Sequence, residues 1–335
     1  MRFYVYKYQL FLFLVLAIQI VKAQGTVLYF QEYLSENLYL IHPAMAGVNL
    51  NNTRFNFGSR SQWLGVDKSP STQFSTIEYQ ANSQSTIGIK LYNDRNGYHN
   101  QKAIYITYVF RIYLNDEIWK TRRAYPTKND EFQEISFGLS LGNQSRNLDS
   151  SSWQIQNNDP LISANDTANG FMGINVGVAY VTNNISAQFS IHNIAVKPNQ
   201  NNLLYDELVF DTVGHKHILA SLQYEIFTDS GWNFEPSLLM QYLEKTEESS
   251  WDASFKVFRL FGKGRAWLGI SYRQNNIGVD LRYNDVSQTQ YNRNCTPLVG
   301  LNYNKFKFSY QYSLPLGAFN FGKGGVHFVN LGFQP

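Results

Sequence analysis

The feature of this sequence that most constrains its fold is an alternation of apolar and polar residues that recurs along most of the chain. In residues 135–142 every odd position is apolar and every even position is Ser or Gly, and residues 305–314 alternate in the same way. Residues 102–114 place apolar side chains at every second position from Ile104 to Leu114. A period of two predicts a β-strand with one apolar and one polar face.

Segments of this kind are too numerous for one small sheet. About 14 can be counted, within a range of 12–16: near 51–59, 71–81, 84–92, 101–114, 131–143, 169–181, 185–192, 216–227, 232–243, 250–260, 265–274, 296–303, 305–314 and 323–334. A closed barrel of that size is too wide for its own side chains to fill, so polar inner faces imply a lumen and the apolar faces meet lipid. The predicted fold class is therefore all-β, a transmembrane antiparallel up-and-down β-barrel with a non-barrel N-terminal segment. A pair of soluble β-sandwiches is the alternative.

The N-terminus has the layout of a secretory signal peptide. Residues 1–23 contain Arg2 and Lys7, then the apolar run 11–18, then Lys22 and a small residue at the expected cleavage point. We expect residues 24–50 to form a plug or a periplasmic segment and residues 51–335 to form an outer-membrane barrel. Removing the leader takes 3 of the 28 basic residues and no acidic one, which leaves 25 against 25. That balance excludes nucleic acid as a partner, because such partners need a concentrated basic field.

Composition and charge placement fit a barrel. Aromatic and charged residues each make up 16% of the chain, and an ordinary soluble domain has about 25% charged residues. Charged residues on the non-apolar faces are predicted to point into the lumen: Glu78, Arg111, Glu134, Glu225, Arg265 and Arg273. Tyrosines near strand ends are candidates for the interfacial girdles of aromatic residues: Tyr92, Tyr180, Tyr242, Tyr272 and Tyr303. The long connections 144–168, 193–215 and 275–295 are predicted to be extracellular loops.

The sequence contains no recognisable catalytic or ligand-binding arrangement. It has no HExxH, Walker or CxxC motif, and His215 and His217 come without a third metal ligand. We therefore predict no catalytic, cofactor-binding or metal residues, no cofactor and no enzymatic activity. A hydrolase acting at the barrel rim is an alternative class, because Ser residues are abundant. The sequence shows no distinctive spacing of these residues that would favour it.

Five short motifs follow one another along the chain in a recognisable order. Three more belong to the same series, and the eight together occupy residues 40–47, 60–72, 87–97, 158–160, 235–237, 269–273, 310–313 and 326–328. Together they resemble the motifs of the PorP/SprF family. The candidate partner-binding or plug positions lie within them: Pro43, Gly47, Arg60, Gln62, Trp63, Gly65, Asp94, Gly97, Asp159, Pro160 and Arg273.

The chain departs from the family pattern at four places. His42 and Met45 stand for an Asn and a Tyr, and Ser313 and Phe328 replace two acids. The replaced acids put a polar contact of the family in doubt for this chain.

The resemblance implies a cell outer membrane protein of the type IX secretion system and gliding motility apparatus. Its expected role is to support protein secretion, or attachment to the cell surface, of an adhesin-like client with a C-terminal sorting domain. Expected partners are that secreted surface protein, other type IX secretion components and outer-membrane lipid. An outer-membrane solute or lipid channel is the alternative. Residues 60–72 would form the first extracellular loop, with Trp63 either covered by a partner or folded back into the lumen as part of a plug.

Overall fold

The chain forms one closed antiparallel sheet. The computed structural model describes residues 37–50, 52–97, 99–114, 132–148, 169–194, 216–244, 247–283, 286–316 and 325–335. Within these ranges there are 14 strands: β1 (Thr53–Gln62), β2 (Ser71–Gln80), β3 (Ser85–Asn96), β4 (His99–Tyr113), β5 (Gln133–Leu148), β6 (Asn169–Thr182), β7 (Ile185–His192), β8 (His217–Tyr224), β9 (Trp232–Leu243), β10 (Glu248–Phe261), β11 (Gly264–Tyr283), β12 (Val286–Tyr303), β13 (Phe306–Pro315) and β14 (Val326–Phe333). Each strand pairs with its neighbours in sequence, and β14 pairs with β1, so the sheet closes. The predicted up-and-down barrel and its strand number are confirmed.

The alternation in sequence is an alternation between lipid and lumen. On β4, Ile104, Ile106, Tyr108, Phe110 and Ile112 face outward and are between 39% and 59% exposed. The residues between them face inward and are buried. So much exposed apolar surface on every strand is unfavourable in water and suits a hydrocarbon surrounding.

The outward apolar belt ends before the strands do. On β3 the outward position after Leu91 is Asn93, followed by Arg95, and on β4 the outward position before Ile104 is Lys102. The outward side chains thus change from apolar to polar at the same level on neighbouring strands. Beyond that level the strands continue into the extracellular medium, where no apolar face is needed.

The two ends of the barrel differ in their connections. At one end lie the start of β1, the end of β14 and the short connections 81–84, 183–184, 225–231, 262–263 and 304–305. Short turns and both strand termini mark the periplasmic end of such barrels. No helix in the described ranges is long and apolar enough to cross a membrane. Residues 1–36, which include the predicted leader, and residues 115–131 lie outside the described ranges.

Several expectations were wrong. Residues 144–148, expected in an extracellular loop, belong to β5. Residues 275–295 are not a loop, because β11 and β12 continue through them as a paired ribbon with a register shift between Gln274 and Gly278. Apolar residues do alternate from Ile277 to Tyr283, but the register shift offsets them from the alternation of residues 265–274, so the two stretches look like separate segments in the sequence. Tyr92 is not a girdle residue: it is buried in the lumen against Phe74, because the outward positions of β3 are the odd ones. By contrast, Glu78, Arg111, Glu134, Arg265 and Arg273 are buried in the lumen, as predicted, and Glu225 reaches Arg265.

Candidate functional site: the lumen and its extracellular mouth

Residues 37–50 lie inside the barrel. They form two short 3₁₀ turns, Leu38–Leu40 and Pro43–Met45. Pro43 occupies the first position of its turn, where its missing N–H is not needed. Nearly every side chain of the segment is buried, and its apolar residues pack against wall residues of β2–β6, β8, β9 and β14.

The backbone of this segment is bonded to the barrel wall. Buried carbonyl groups need partners, and the tight turns use only some of them internally. Wall side chains donate to four others: Lys90 to Leu40 at 3.3 Å, Ser136 to Ala44 at 3.0 Å, Arg111 to Ala46, and Arg54 to Val48 at 3.0 Å. The wall therefore recognises the path of the main chain, largely independently of its side chains.

Glu78 forms a buried ion pair with Arg54 in the wall and also binds the segment. Its Oε1 accepts a hydrogen bond from Arg54 Nε at 2.8 Å, and its Oε2 accepts one from the Gly47 amide at 2.5 Å. Gly47 has a φ of +77°, and a Cβ there would lie 2.4 Å from the Thr86 hydroxyl. Only glycine satisfies both conditions, since L-residues rarely adopt this backbone and the space is already filled.

Glycines on the inner wall make room for the segment. A Cβ on Gly138 would lie 2.4 Å from the Ala44 nitrogen and 2.5 Å from the Pro43 carbonyl carbon. One on Gly88 would lie 2.7 Å from the Tyr39 hydroxyl. The wall and the segment are thus complementary in shape as well as in hydrogen bonding.

His42 fixes the far side of the segment. Its Nδ1 lies 2.9 Å from Ser190 Oγ and its Nε2 lies 2.8 Å from Ser221 Oγ. Burial, with a contribution from the charge of His217, lowers the pKa of His42 to about 3. The ring is therefore neutral at physiological pH, and one ring nitrogen donates while the other accepts.

The motif residues 60–65 and 93–97 meet at the extracellular mouth of the lumen. Arg60, Thr72 and Asp94 are opposite one another on β1, β2 and β3. The Gln62 amide oxygen accepts hydrogen bonds from the Arg60 guanidinium, and Thr72 donates to Asp94 at 2.5 Å. Arg60 also interacts electrostatically with Asp94. Arg60 and Gln62 belong to β1, and the connection between β1 and β2 comprises residues 63–70, so the expected loop of residues 60–72 was too long.

The connection above this cluster is a compact turn. The Val66 amide donates to the Trp63 carbonyl at 3.1 Å, and Trp63 and Gly65 have φ values of +50° and +92°. The Gly97 amide, in the next extracellular turn, donates to the Lys68 carbonyl at 3.2 Å. Trp63 is half-buried.

Leu64 and Val66 lie in the same turn and are 54% and 51% exposed. They belong to the connection that joins the polar extracellular ends of β1 and β2. Both are therefore apolar side chains that lie beyond the outward apolar belt.

The remaining candidate residues lie elsewhere. Arg273 faces the lumen from β11 and donates to both oxygens of Asp252, at 2.5 and 2.6 Å. This buried pair joins two neighbouring strands and is away from the mouth motifs. Asp159 and Pro160 lie outside the described residues. In the described part of the chain, no cluster of three or more His, Cys, Asp or Glu could hold a metal ion.

Sequence reasoning missed several residues that hold the segment. Arg54, Lys90, Ser190 and Ser221 were not singled out. A signal for Arg54 was present, since it lies at an inward position of β1, directly opposite Glu78 in a β1–β2 hairpin.

Comparisons with known proteins give one informative match. A family model described as "Type IX secretion system membrane protein PorP/SprF" matches residues 22–333. No curated protein sequence matches the chain. The TodX monoaromatic hydrocarbon channel deltaS2 mutant is 10% identical, with 90% of this chain and 92% of that chain covered and a TM-score of 0.47. The CymD monoaromatic hydrocarbon channel is 11% identical, with 89% and 91% covered and a TM-score of 0.44. A FadL homologue of Pseudomonas aeruginosa is 9% identical, with 88% and 97% covered and a TM-score of 0.42. These three likenesses carry no information about function.

Proposed function

Because the chain belongs to the PorP/SprF family of type IX secretion system membrane proteins, we propose that this outer-membrane barrel supports secretion or surface attachment of a client protein with a C-terminal sorting domain. Its partners are that client and other components of the secretion system. In this proposal the chain divides into a leader (1–23), an N-terminal plug or periplasmic segment (24–50), of which residues 37–50 act as a plug, and a barrel (51–335).

The observation that carries this proposal is the occupied lumen. Residues 37–50 pack on wall residues from β2 to β9, and their backbone carbonyls are held by four wall side chains. A barrel whose interior binds its own N-terminal segment so extensively is suited to act through its surfaces rather than as an open conduit.

The surface proposed for the client is the extracellular mouth between β1 and β4. At the mouth, Arg60 and Asp94 offer two groups of opposite charge that interact electrostatically. Above it, Leu64 and Val66 offer apolar surface on a turn whose backbone is fixed by hydrogen bonds. Apolar centres with polar surroundings are typical of protein interfaces.

The test is surface display in the native bacterium. The chromosomal copy is replaced by an Arg60→Ala/Gln62→Ala variant, and display of the sorting-domain protein is measured by whole-cell protease accessibility. We expect display to fall at least tenfold while the barrel still shows heat-modifiable migration. Arg95→Ala is the control, since Arg95 is exposed on the outer face near the same rim. Unchanged display in the Arg60→Ala/Gln62→Ala variant would contradict the assignment of the mouth.

The channel alternative makes a separate prediction. If residues 37–50 stay bound in the lumen, the purified protein should show no steady conductance in planar bilayers. A solute channel should instead show stable steps of conductance. Stable conductance of the unmodified protein would favour the channel.

A further inference from the structure

A row of aromatic side chains faces outward at the periplasmic ends of β10–β14. The strand register aligns Phe261 with Gly264, Gly264 with Tyr303, Tyr303 with Phe306 and Phe306 with Phe333. The four rings are 41%, 56%, 63% and 36% exposed in that order. Phe261 stacks on Tyr303 across the glycine, with ring centroids 6.2 Å apart. Rings in this position mark the level at which hydrocarbon gives way to headgroups.

Three basic side chains border this row. Arg259, Lys263 and Lys305 are all exposed. Arg259 faces outward, 5.4 Å from the centre of the Trp232 ring. The amide of Asn304 donates to the Lys263 carbonyl at 3.0 Å, which brings the two lysine-bearing turns together. We call Arg259, Lys263 and Lys305 the basic rim.

In the part of the chain that the structure describes, no carboxylate balances the charge of the basic rim. Within the described ranges, none of its three residues forms an ion pair with a carboxylate. Asp229 is the exposed acid on the described turns at this end. The described extracellular end differs, because its exposed acids Asp67, Glu244 and Glu247 accompany its exposed bases.

We propose that the basic rim binds the phosphate groups of anionic phospholipids in the inner leaflet of the outer membrane. Guanidinium and ammonium groups donate hydrogen bonds to phosphate oxygens, and basic residues close to a membrane surface attract anionic lipid. Trp232 and the aromatic row would contact the glycerol and upper acyl region of the same lipids.

The position of Arg259 favours lipid over a periplasmic protein. It projects from the outer face of β10 beside Trp232, which is itself 49% exposed on that face. Arg259 precedes Phe261 by two residues on the outward face of β10, so its backbone lies on the membrane side of the aromatic row and its long side chain can reach the headgroups from there. A protein docking from the periplasm would first have to displace lipid at this position.

The proposal can be tested by lipid competition on the full-length protein. The protein is reconstituted in phosphatidylcholine bilayers containing phosphatidylglycerol with brominated acyl chains, and quenching of tryptophan fluorescence gives the relative affinity for the two lipids. We expect a preference for phosphatidylglycerol of about fivefold or more, the factor that corresponds to about 1 kcal/mol for one basic residue at a membrane surface. The preference should weaken at high salt.

Two triple variants with the same change in net charge distinguish an effect of the basic rim on lipid preference from an effect of net charge alone. In Arg259→Gln/Lys263→Gln/Lys305→Gln the preference should disappear, with heat-modifiable migration retained. The matched control removes three exposed bases from the extracellular end: Arg95→Gln/Lys102→Gln/Arg293→Gln. The control should keep the preference.

Three results would overturn the proposal. They are the absence of a preference in the unmodified protein, its retention in the basic-rim variant, or an equal loss in both variants. If the basic-rim variant kept its lipid preference but no longer co-purified with periplasmic secretion components, the rim would be a protein-docking surface and the lipid proposal would be wrong.

Discussion

Gly138→Ala should loosen the segment inside the barrel without harming the barrel wall itself. The new methyl carbon would lie 2.4 Å from the Ala44 nitrogen and 2.5 Å from the Pro43 carbonyl carbon. Both are backbone atoms of the segment, so rotation of a side chain cannot relieve the clash. The segment must move away from β5, which would weaken the hydrogen bond from Ser136 to the Ala44 carbonyl.

The expected cost follows from these contacts. Overpacking costs about 1–3 kcal/mol, and a weakened hydrogen bond adds about 1 kcal/mol. Replacing glycine in a strand returns about 0.5–1 kcal/mol. The net loss is about 2 kcal/mol, which lowers the melting temperature by about 3 °C at the usual unfolding entropy per residue for a chain of this size. Gly173→Ala is the matched control, because its methyl carbon would lie 3.1 Å from the flexible end of Asn193.

Two assays distinguish movement of the segment from damage to the barrel. Thermal loss of heat-modifiable migration in detergent reports on the barrel. Labelling of Met45→Cys by a maleimide, in a background without the native cysteine, reports on the segment, since Met45 is buried. We expect faster labelling with Gly138→Ala and no change with Gly173→Ala. Equal stability and equal labelling in the two backgrounds would refute the packing argument.

Three further predictions test the lipid face, the closure of the barrel and the buried histidine. Ile106→Lys, in the apolar belt, should cost about 2–4 kcal/mol and reduce the heat-modifiable fraction, whereas Asn93→Lys, beyond the belt, should not; equal fractions would contradict the face assignment. Ser59 and Val329 are directly opposite across the β1–β14 pair, so cysteines at both positions, without the native cysteine, should form a disulfide on oxidation, and failure to crosslink would contradict the closure. The folded-state pKa of His42 is about 3, below the usual 6.5 of an imidazole, so its contribution to stability is complete above pH 6.5 and is lost as the pH falls, by about 1.4 kcal/mol per unit; His42→Asn should therefore reduce the pH dependence of thermal unfolding between pH 6.5 and 5 by about that amount, and an unchanged slope would show that His42 does not contribute to it.

Much of the wall was predictable because alternation is a local property. Residues Ile104 to Ile112 reveal the lipid face of β4 without knowledge of any neighbour. Residues 277–283 also alternate, but the register shift between Gln274 and Gly278 offsets their apolar positions from those of residues 265–274, so only the backbone pairing shows that β11 continues there. Tyr92 was misplaced because a position near a strand end does not reveal which face the residue occupies.

The interior was less predictable than the wall. The sequence offered Pro43 and Gly47 as motif residues and left a plug or a periplasmic segment open. Their surroundings depend on non-local contacts: Gly47 meets Glu78 and Thr86, and Pro43 lies against Gly138. Only the closed barrel brings these strands around the segment, so no local pattern encodes the arrangement.

The most direct test of the proposed function is site-specific photo-crosslinking at the extracellular mouth. A photoreactive amino acid at Leu64 is activated in cells that display a sorting-domain protein, and the same residue at Ile106, on the lipid face, is the control. We predict that the Leu64 position captures the sorting-domain protein and the Ile106 position does not. Normal display of that protein with no capture at Leu64 would contradict the proposal that the client binds at this mouth.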